Sequence, residues 1–319
     1  MFPGGREHRM TTDPETPPAH RHRRTIVVGV DGSAPARPAL RWAADEAVLR
    51  GACLRIVHAS PGAPVTSTPP ARPGEPEPPP AAVIDEAVAL VAARHPGLAV
   101  RADVLGIPAT RALEGASGEA DLLVVGARGR GGFAGLLLGS VSRHCIRHAR
   151  CSVAVLRADP GDPSPTGPRI VVGVDGSPGS DGALRWALQE ASSRSAVVEA
   201  VHAWQFPPVG AFVAAPPGGS ETAAAGVVRA TRALAARWEP GVPLEVSSRY
   251  GPTVPELLRA SEHADLLVLG ARGRGALHEV LVGSVGQQCA NHSPCPLVVV
   301  RDPPRSAAPA GAGDVTRAV

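Results

Sequence analysis

The sequence predicts an α/β protein built from two tandem, doubly wound domains, each with a parallel sheet covered by helices on both faces. Three observations predict it. The chain repeats itself with a 144-residue period: Asp31-Gly-Ser33 returns as Asp175-Gly-Ser177, Leu40-Arg-Trp-Ala43 as Leu184-Arg-Trp-Ala187, and Cys145, Cys151 and Arg157 as Cys289, Cys295 and Arg301. A period that long is a whole small domain rather than a solenoid unit. The strand-like segments are continuous Val/Ile/Leu runs rather than alternating ones, as strands buried on both faces require. In each half five such runs alternate with four helix-like segments, the pattern of a doubly wound sheet.

The first half reads in order. A strand at 25–31 (TIVVGVD) leads to a helix at about 35–50, and a strand at 54–59 to a Pro-rich insertion over 60–80 and a helix at 81–94. A strand at 98–104 leads to a helix at 108–118, and a strand at 121–126 to a glycine loop and a helix at 139–149; a strand at 152–157 closes the domain. The second half repeats this order. Composition sets the boundaries: a disordered tail at 1–24, a domain at 25–157, a Pro/Gly linker at 158–168, a second domain at 169–301 and a disordered tail at 302–319.

Composition also excludes. A net charge of +3 gives no field that invites nucleic acid. No segment approaches the ~20 apolar residues of a membrane span, and the basic N-terminal stretch lacks the apolar run of a signal peptide, so a soluble, cytoplasmic protein is expected. All 32 Lys/Arg residues are Arg, which removes a Walker-type lysine and a Schiff-base lysine. Cys-x-x-His-x-x-Cys occurs twice, at Cys145/His148/Cys151 and Cys289/His292/Cys295, but no fourth zinc ligand accompanies either copy, and no metal ligands are assigned. Small buried thiols are the expectation.

The chemistry lies in the glycine loops. Gly126-Ala-Arg-Gly129, nine residues, then Gly139-Ser140 recurs as Gly270-Ala-Arg-Gly273, nine residues, then Gly283-Ser284. Each runs from a strand to a helix N-terminus, where unsatisfied N–H groups and the dipole favour phosphate. The Ser140 hydroxyl is placed either to cap its helix or to bond a phosphate oxygen. Arg128, Arg130, Arg272 and Arg274 supply either phosphate contacts or solvated loop charges. Doubly wound sheets bind ligands beyond the strand carboxyl ends at the point where strand order reverses. The first strand ends there with Gly29, Val30 and Asp31, and with Gly173, Val174 and Asp175 in the second half. The nucleotide-binding candidates are these six residues, then Gly126, Ala127, Arg128, Gly129, Arg130, Gly139, Ser140 and Val141, and their copies Gly270, Ala271, Arg272, Gly273, Arg274, Gly283, Ser284 and Val285; no catalytic residue is assigned. Gly129-Arg-Gly-Gly-Phe-Ala134 superficially fits a dinucleotide fingerprint, but it follows the fourth strand instead of the first. His58, His202, Trp42 and Trp186 fit core positions.

These residues carry a resemblance. The pattern G-x2-G-x9-G-[ST], the IVVGVDGS opening, the LRWA helix and the closing H-x2-C make the chain similar to tandem universal stress proteins over about 24–157 and 169–301. The resemblance implies a flavodoxin-like (Rossmann-like) fold with a five-stranded parallel sheet per domain in the order 3-2-1-4-5. It implies ATP as ligand, often with Mg2+ or Mn2+: Asp31 and Asp175, with the end of the second strand, near the nucleoside, the loop glycines with Ser140 and Ser284 on the phosphates. It implies pairing of fifth strands, either as an intramolecular pseudo-dimer through 152–156 and 296–300 or in a homodimer. Two departures stand out. Ala127 and Ala271 replace a common serine or threonine, and Glu279 lies in the second loop, which makes the first domain the better binder.

The expected function is an ATP-binding regulator of stress or dormancy, acting through an unidentified protein partner. The alternatives are a slow ATPase or phosphotransferase, with at most weak ATP hydrolysis, and an interaction module that is nucleotide-independent or binds cyclic AMP.

Overall fold

The computed structural model describes residues 24–61, 79–129, 137–157, 167–205, 219–273 and 283–301. In the first half these form β1 (Thr25–Val30), α1 (Arg37–Arg50), β2 (Cys53–Ala59), α2 (Pro80–Arg94), β3 (Val100–Leu105), α3 (Ala109–Ala116), β4 (Leu122–Gly126), α4 (Ser140–His148) and β5 (Ser152–Leu156). The second half follows with β6 (Arg169–Gly173), α5 (Pro178–Arg194), β7 (Val197–Trp204), α6 (Gly219–Trp238), β8 (Leu244–Tyr250), α7 (Thr253–Ala260), β9 (Leu266–Gly270), α8 (Ser284–His292) and β10 (Leu297–Val300).

One local difference between the halves follows from proline placement. The sequence predicts a first helix from about residue 35. The structure instead has a 3-10 turn over Ala34–Ala36, closed by the Ala36 N–H on the Ser33 carbonyl at 3.0 Å, and α1 starts at Arg37. Pro38 has no N–H to give the Ala34 carbonyl, so regular i→i−4 bonding cannot begin earlier. In the second half Pro178 sits in the first turn of α5, and the Ser177 hydroxyl caps that helix by accepting the Ser180 N–H at 3.2 Å.

The ten strands make one sheet in the order β3-β2-β1-β4-β5-β10-β9-β6-β7-β8. Pairing within each half is parallel. The halves join by antiparallel pairing of β5 with β10, with Leu297 opposite Val155 and Val299 opposite Val153. The sequence left open whether these strands pair within or between chains; in the structure they pair within it. The reversal at β5–β10 points the strand carboxyl ends of the two halves to opposite ends of the sheet. The apolar strands bury one cluster on each face. Leu40, Trp42, Val83, Leu184 and Leu188 pack on one side, and Leu113, Ile146, Leu257 and Ala290 on the other. Helices α1, α2, α5 and α6 therefore cover one face, and α3, α4, α7 and α8 the other.

Two arginines fasten the junction reciprocally. Arg157, just past β5, donates to the Ala290 carbonyl at 2.8 Å and to the Asn291 carbonyl, at the end of α8. Arg301, just past β10, donates to the Ile146 and Arg147 carbonyls of α4 at 2.7 and 2.8 Å. A cation at a helix C-terminus complements the dipole and serves carbonyls that have no helical partner.

Candidate functional site

Strands β1 and β4 are neighbours, so their carboxyl ends bring Asp31 and the glycine loop together. A cavity of about 450 Å³ opens there, lined by Gly29, Val30, Asp31, Gly126, Arg128, Gly129, Gly139, Ser140 and Val141. Its copy, about 360 Å³, is lined by Gly173, Val174, Asp175, Gly270, Arg272, Gly273, Gly283, Ser284 and Val285. Arg130 and Arg274, and with them Glu279, lie outside the described residues.

Ala127 and Ala271 are brought to the site without lining it. Their methyl groups are buried in the core, while their backbones anchor the loop. The Ala127 N–H donates to the Leu156 carbonyl at 2.6 Å, and its carbonyl accepts the Gly139 N–H at 2.7 Å. Ala271 makes the equivalent bonds to Val300 and Gly283, both at 2.8 Å. Each loop is thus stapled where it leaves the strand and where it enters the helix. A hydroxyl at these positions would point into apolar packing and away from the cavity.

Asp31 is oriented by its own turn. Its Oδ1 accepts the Ser33 N–H at 3.0 Å and the Ser33 hydroxyl at 2.5 Å, while Oδ2 faces Gly129. A Cβ on Gly129 would lie 2.5 Å from that Oδ2, and one on Gly273 would lie 2.6 Å from Asp175 Oδ2. A side chain at either position would have to push that carboxylate aside, against the Ser33 and Ser177 contacts that hold its other oxygen.

The helix terminus is open. Gly139 is the N-cap of α4 and contributes no side-chain cap, and Ser140 occupies the first helical position. The Ser140 hydroxyl therefore does not cap the helix; it lines the cavity without a hydrogen-bond partner among the described residues. Ser284 is placed identically behind Gly283 at α8. Each terminus offers free N–H groups, a hydroxyl and the positive end of a dipole to one point.

The resemblance placed the end of the second strand near the nucleoside, where Val57 and Ala59 lie; the rest of the apolar wall and Ser142 were missed. The apolar wall of the first cavity, Val57, Ala59, Leu113 and Val125, comes from β2, α3 and β4. Ser142 donates its hydroxyl to the Gly126 carbonyl at 2.6 Å and ties α4 to the strand end; the same position in the second half is Gly286, which has no such group. His58 packs as the core residue its position suggests. It is 7 % exposed, and its Nδ1 lies 2.9 Å from the Val30 carbonyl, with His202 and Val174 repeating this at 2.8 Å.

The cysteine motifs have a packing role. Burial pushes the Cys145, Cys151 and Cys289 thiols up to about 12 and Cys295 to about 11, so all four are neutral. Among the described residues no group of three or more His, Cys, Asp and Glu is arranged to hold a metal ion. No described helix is long and apolar enough to cross a membrane.

Known proteins share this architecture. The universal stress protein family matches residues 22–157 and 168–301. A universal stress protein of Mycobacterium tuberculosis strain H37Rv is 35% identical over 291 residues, covering 87% of this chain and 96% of the relative. One of Mycolicibacterium smegmatis is 33% identical over 292 residues, covering 86% and 96%. The crystal structure of a universal stress protein from Archaeoglobus fulgidus DSM 4304 superposes with a TM-score of 0.57 at 17% identity, over 87% of this chain and 98% of that one. With both halves matched and relatives of this identity aligned over nearly the whole chain, the protein belongs to the universal stress protein family.

Proposed function

We propose that the protein is an adenine-nucleotide-binding regulator, each half holding one ATP between its first-strand aspartate and its glycine loop. One observation carries this reading: Asp31, Gly129 and the uncapped Ser140 helix terminus meet in one cavity that also has an apolar wall. A nucleotide needs both kinds of surface. Val57, Ala59, Leu113 and Val125 offer a slot for the base; the α4 N–H groups, the Ser140 hydroxyl and Arg128 offer an anion cradle for the phosphates. Asp31 is the carboxylate of this cavity, suited to the ribose or to a Mg2+ ion arriving on the phosphates. The metal would neutralise phosphate charge.

The two halves are not equal in this proposal. The first has the larger cavity and the Ser142–Gly126 tie, and it is the stronger binder. Titration calorimetry of Mg2+ and ATP against wild type, Gly129→Val and Gly273→Val tests the reading, with ADP and cyclic AMP as competitors. The expected result is loss of the tighter event in Gly129→Val and of the weaker one in Gly273→Val. Absence of saturable binding of any of the three nucleotides to the folded wild type would sink it.

A further inference from the structure

We propose a third binding site, formed jointly by the two halves, that takes a small polyanion. The cleft of about 730 Å³ between the amino-terminal ends of the first half's strands and helix α5 is larger than either nucleotide candidate. Arg24 and Arg150 line it from the first half, and Arg185, Trp186, Trp238 and Arg301 from the second. Arg24, Arg150 and Arg185 have no ion-pair partner among the described residues. Arg185 instead lies over the Trp238 ring, 4.4 Å from its centroid, which fixes the guanidinium plane and leaves its N–H groups to the cleft. Arg301 is anchored to the end of α4.

Opposing charge is present but smaller. Asp121 and Asp181 also line the cleft, and Asp121 is already engaged by the Thr25 N–H at 2.7 Å. Arg50, which completes the lining, is committed to Glu46 and Glu190. Four arginines then stand against two aspartates.

The duplication supplies an internal control. One period away from Arg24 and Arg150 the chain has Pro168 and Pro294. One period before Gln189 and Trp238 it has Asp45 and Arg94, which pair with each other at 2.7 Å. Arg24 and Arg150 are therefore particular to this cleft, whereas Arg185 has a copy, Arg41, on the other half. Guanidinium forks match planar or tetrahedral oxyanions, and several of them around one cleft select a ligand with two or more such groups. An oligophosphate and a tricarboxylate share that chemistry.

The test uses the full chain carrying Gly129→Val and Gly273→Val, which disables both glycine loops, with circular dichroism confirming its fold. Tripolyphosphate and citrate are titrated separately by calorimetry. One saturable event per chain is expected, weakened about tenfold or more by Arg150→Ser with Arg185→Ser, through loss of two charge-assisted contacts. A control pair on exposed surface elsewhere, Arg101→Ser with Arg232→Ser, is expected to leave it unchanged. Preference for tripolyphosphate identifies a phosphate ligand, and preference for citrate a carboxylate one. The proposal is overturned if neither probe saturates, if the Arg150/Arg185 pair has no effect, or if the control pair weakens binding equally. Because both loops are disabled throughout, the outcome does not depend on ATP binding.

Discussion

Glu46 and Glu190 face each other across the junction of the two halves, each held by an arginine of the other half. Arg50 reaches Glu190 at 2.5 Å, and Arg194 reaches Glu46 at 2.5 Å. Each arginine also pairs with the glutamate one turn before it, Arg50 with Glu46 and Arg194 with Glu190. The result is a closed ring of four ionisable side chains between α1 and α5, with both carboxyl groups essentially inaccessible to solvent. Arg50 additionally lies 4.7 Å from the centroid of the Trp186 ring. The 144-residue repeat generates this ring from a single Glu-x3-Arg pattern, since the pseudo-symmetric junction brings the two copies face to face.

The ring makes stability depend on pH. Burial, and then the neighbouring Glu190 charge, raises Glu46 from 4.5 to about 7, against the opposing pull of Arg50 and Arg194. A carboxyl whose folded value lies above its unfolded value stabilises the fold when protonated. That contribution is complete below 4.5 and is lost as pH rises through about 7. Thermal unfolding of wild type and Glu46→Gln across pH 5 to 8 checks this. Wild type is expected to lose a few °C relative to the variant as pH rises, at ~2–4 °C per kcal/mol for a chain of this size. A constant offset between the two curves would refute it.

The arginine fasteners carry a separate prediction. Arg157→Ala leaves the Ala290 and Asn291 carbonyls at the end of α8 without their charged donor. Charge-assisted hydrogen bonds of this kind contribute ~1.5–3 kcal/mol, so the variant should unfold several °C lower. Arg301→Ala should do the same through α4. Burial, with a further push from Arg128 on Arg157 and from Arg272 on Arg301, lowers both guanidinium pKa values, though not enough to discharge them at neutral pH. Equal melting temperatures for wild type and both variants would contradict this account.

The domain repeat, the continuous apolar strands and the loop motif were legible because each is a local pattern. The spacing from Gly126 to Ser140 covers a strand end, a loop and a helix start, and each has its own sequence signal. The apolar wall was legible only in part: the resemblance pointed to the end of the second strand, but not to individual residues. Val57, Ala59 and Leu113 look like ordinary core residues until the order of β1, β2 and β4 sets them beside Asp31. Ser142 was missed because a serine one turn into a helix has no local mark; only the return of α4 to the end of β4 gives it the Gly126 carbonyl. The Glu46–Arg194 and Arg157–Ala290 contacts were invisible for a further reason. They exist only because β5 meets β10 antiparallel, and no periodicity within one half encodes that meeting.

Ser142 is expected to separate the two nucleotide candidates. Ser142→Ala removes the hydroxyl bond that ties α4 to Gly126. A neutral hydrogen bond contributes ~0.5–1.5 kcal/mol, so ATP affinity in the first half should fall about two- to tenfold, with the second half unaffected. Calorimetry on the Gly273→Val background isolates the first half. An affinity equal to that of the Gly273→Val parent would show that the tie does not shape the loop.

The cysteines provide a check on packing that is independent of any ligand. Cys145, Cys151, Cys289 and Cys295 are buried and their thiols are held far above neutral pH, while Cys53 is only half-buried, at the start of β2. Alkylation requires the thiolate and access to it. At pH 8, brief iodoacetamide treatment of the native protein should therefore modify Cys53 first, and denaturation should release all five cysteines. Mass spectrometry of the peptides distinguishes the sites. Because Cys295 lies just before β10, its early labelling in the native protein would mean that the strands joining the two halves open, contrary to the packing described.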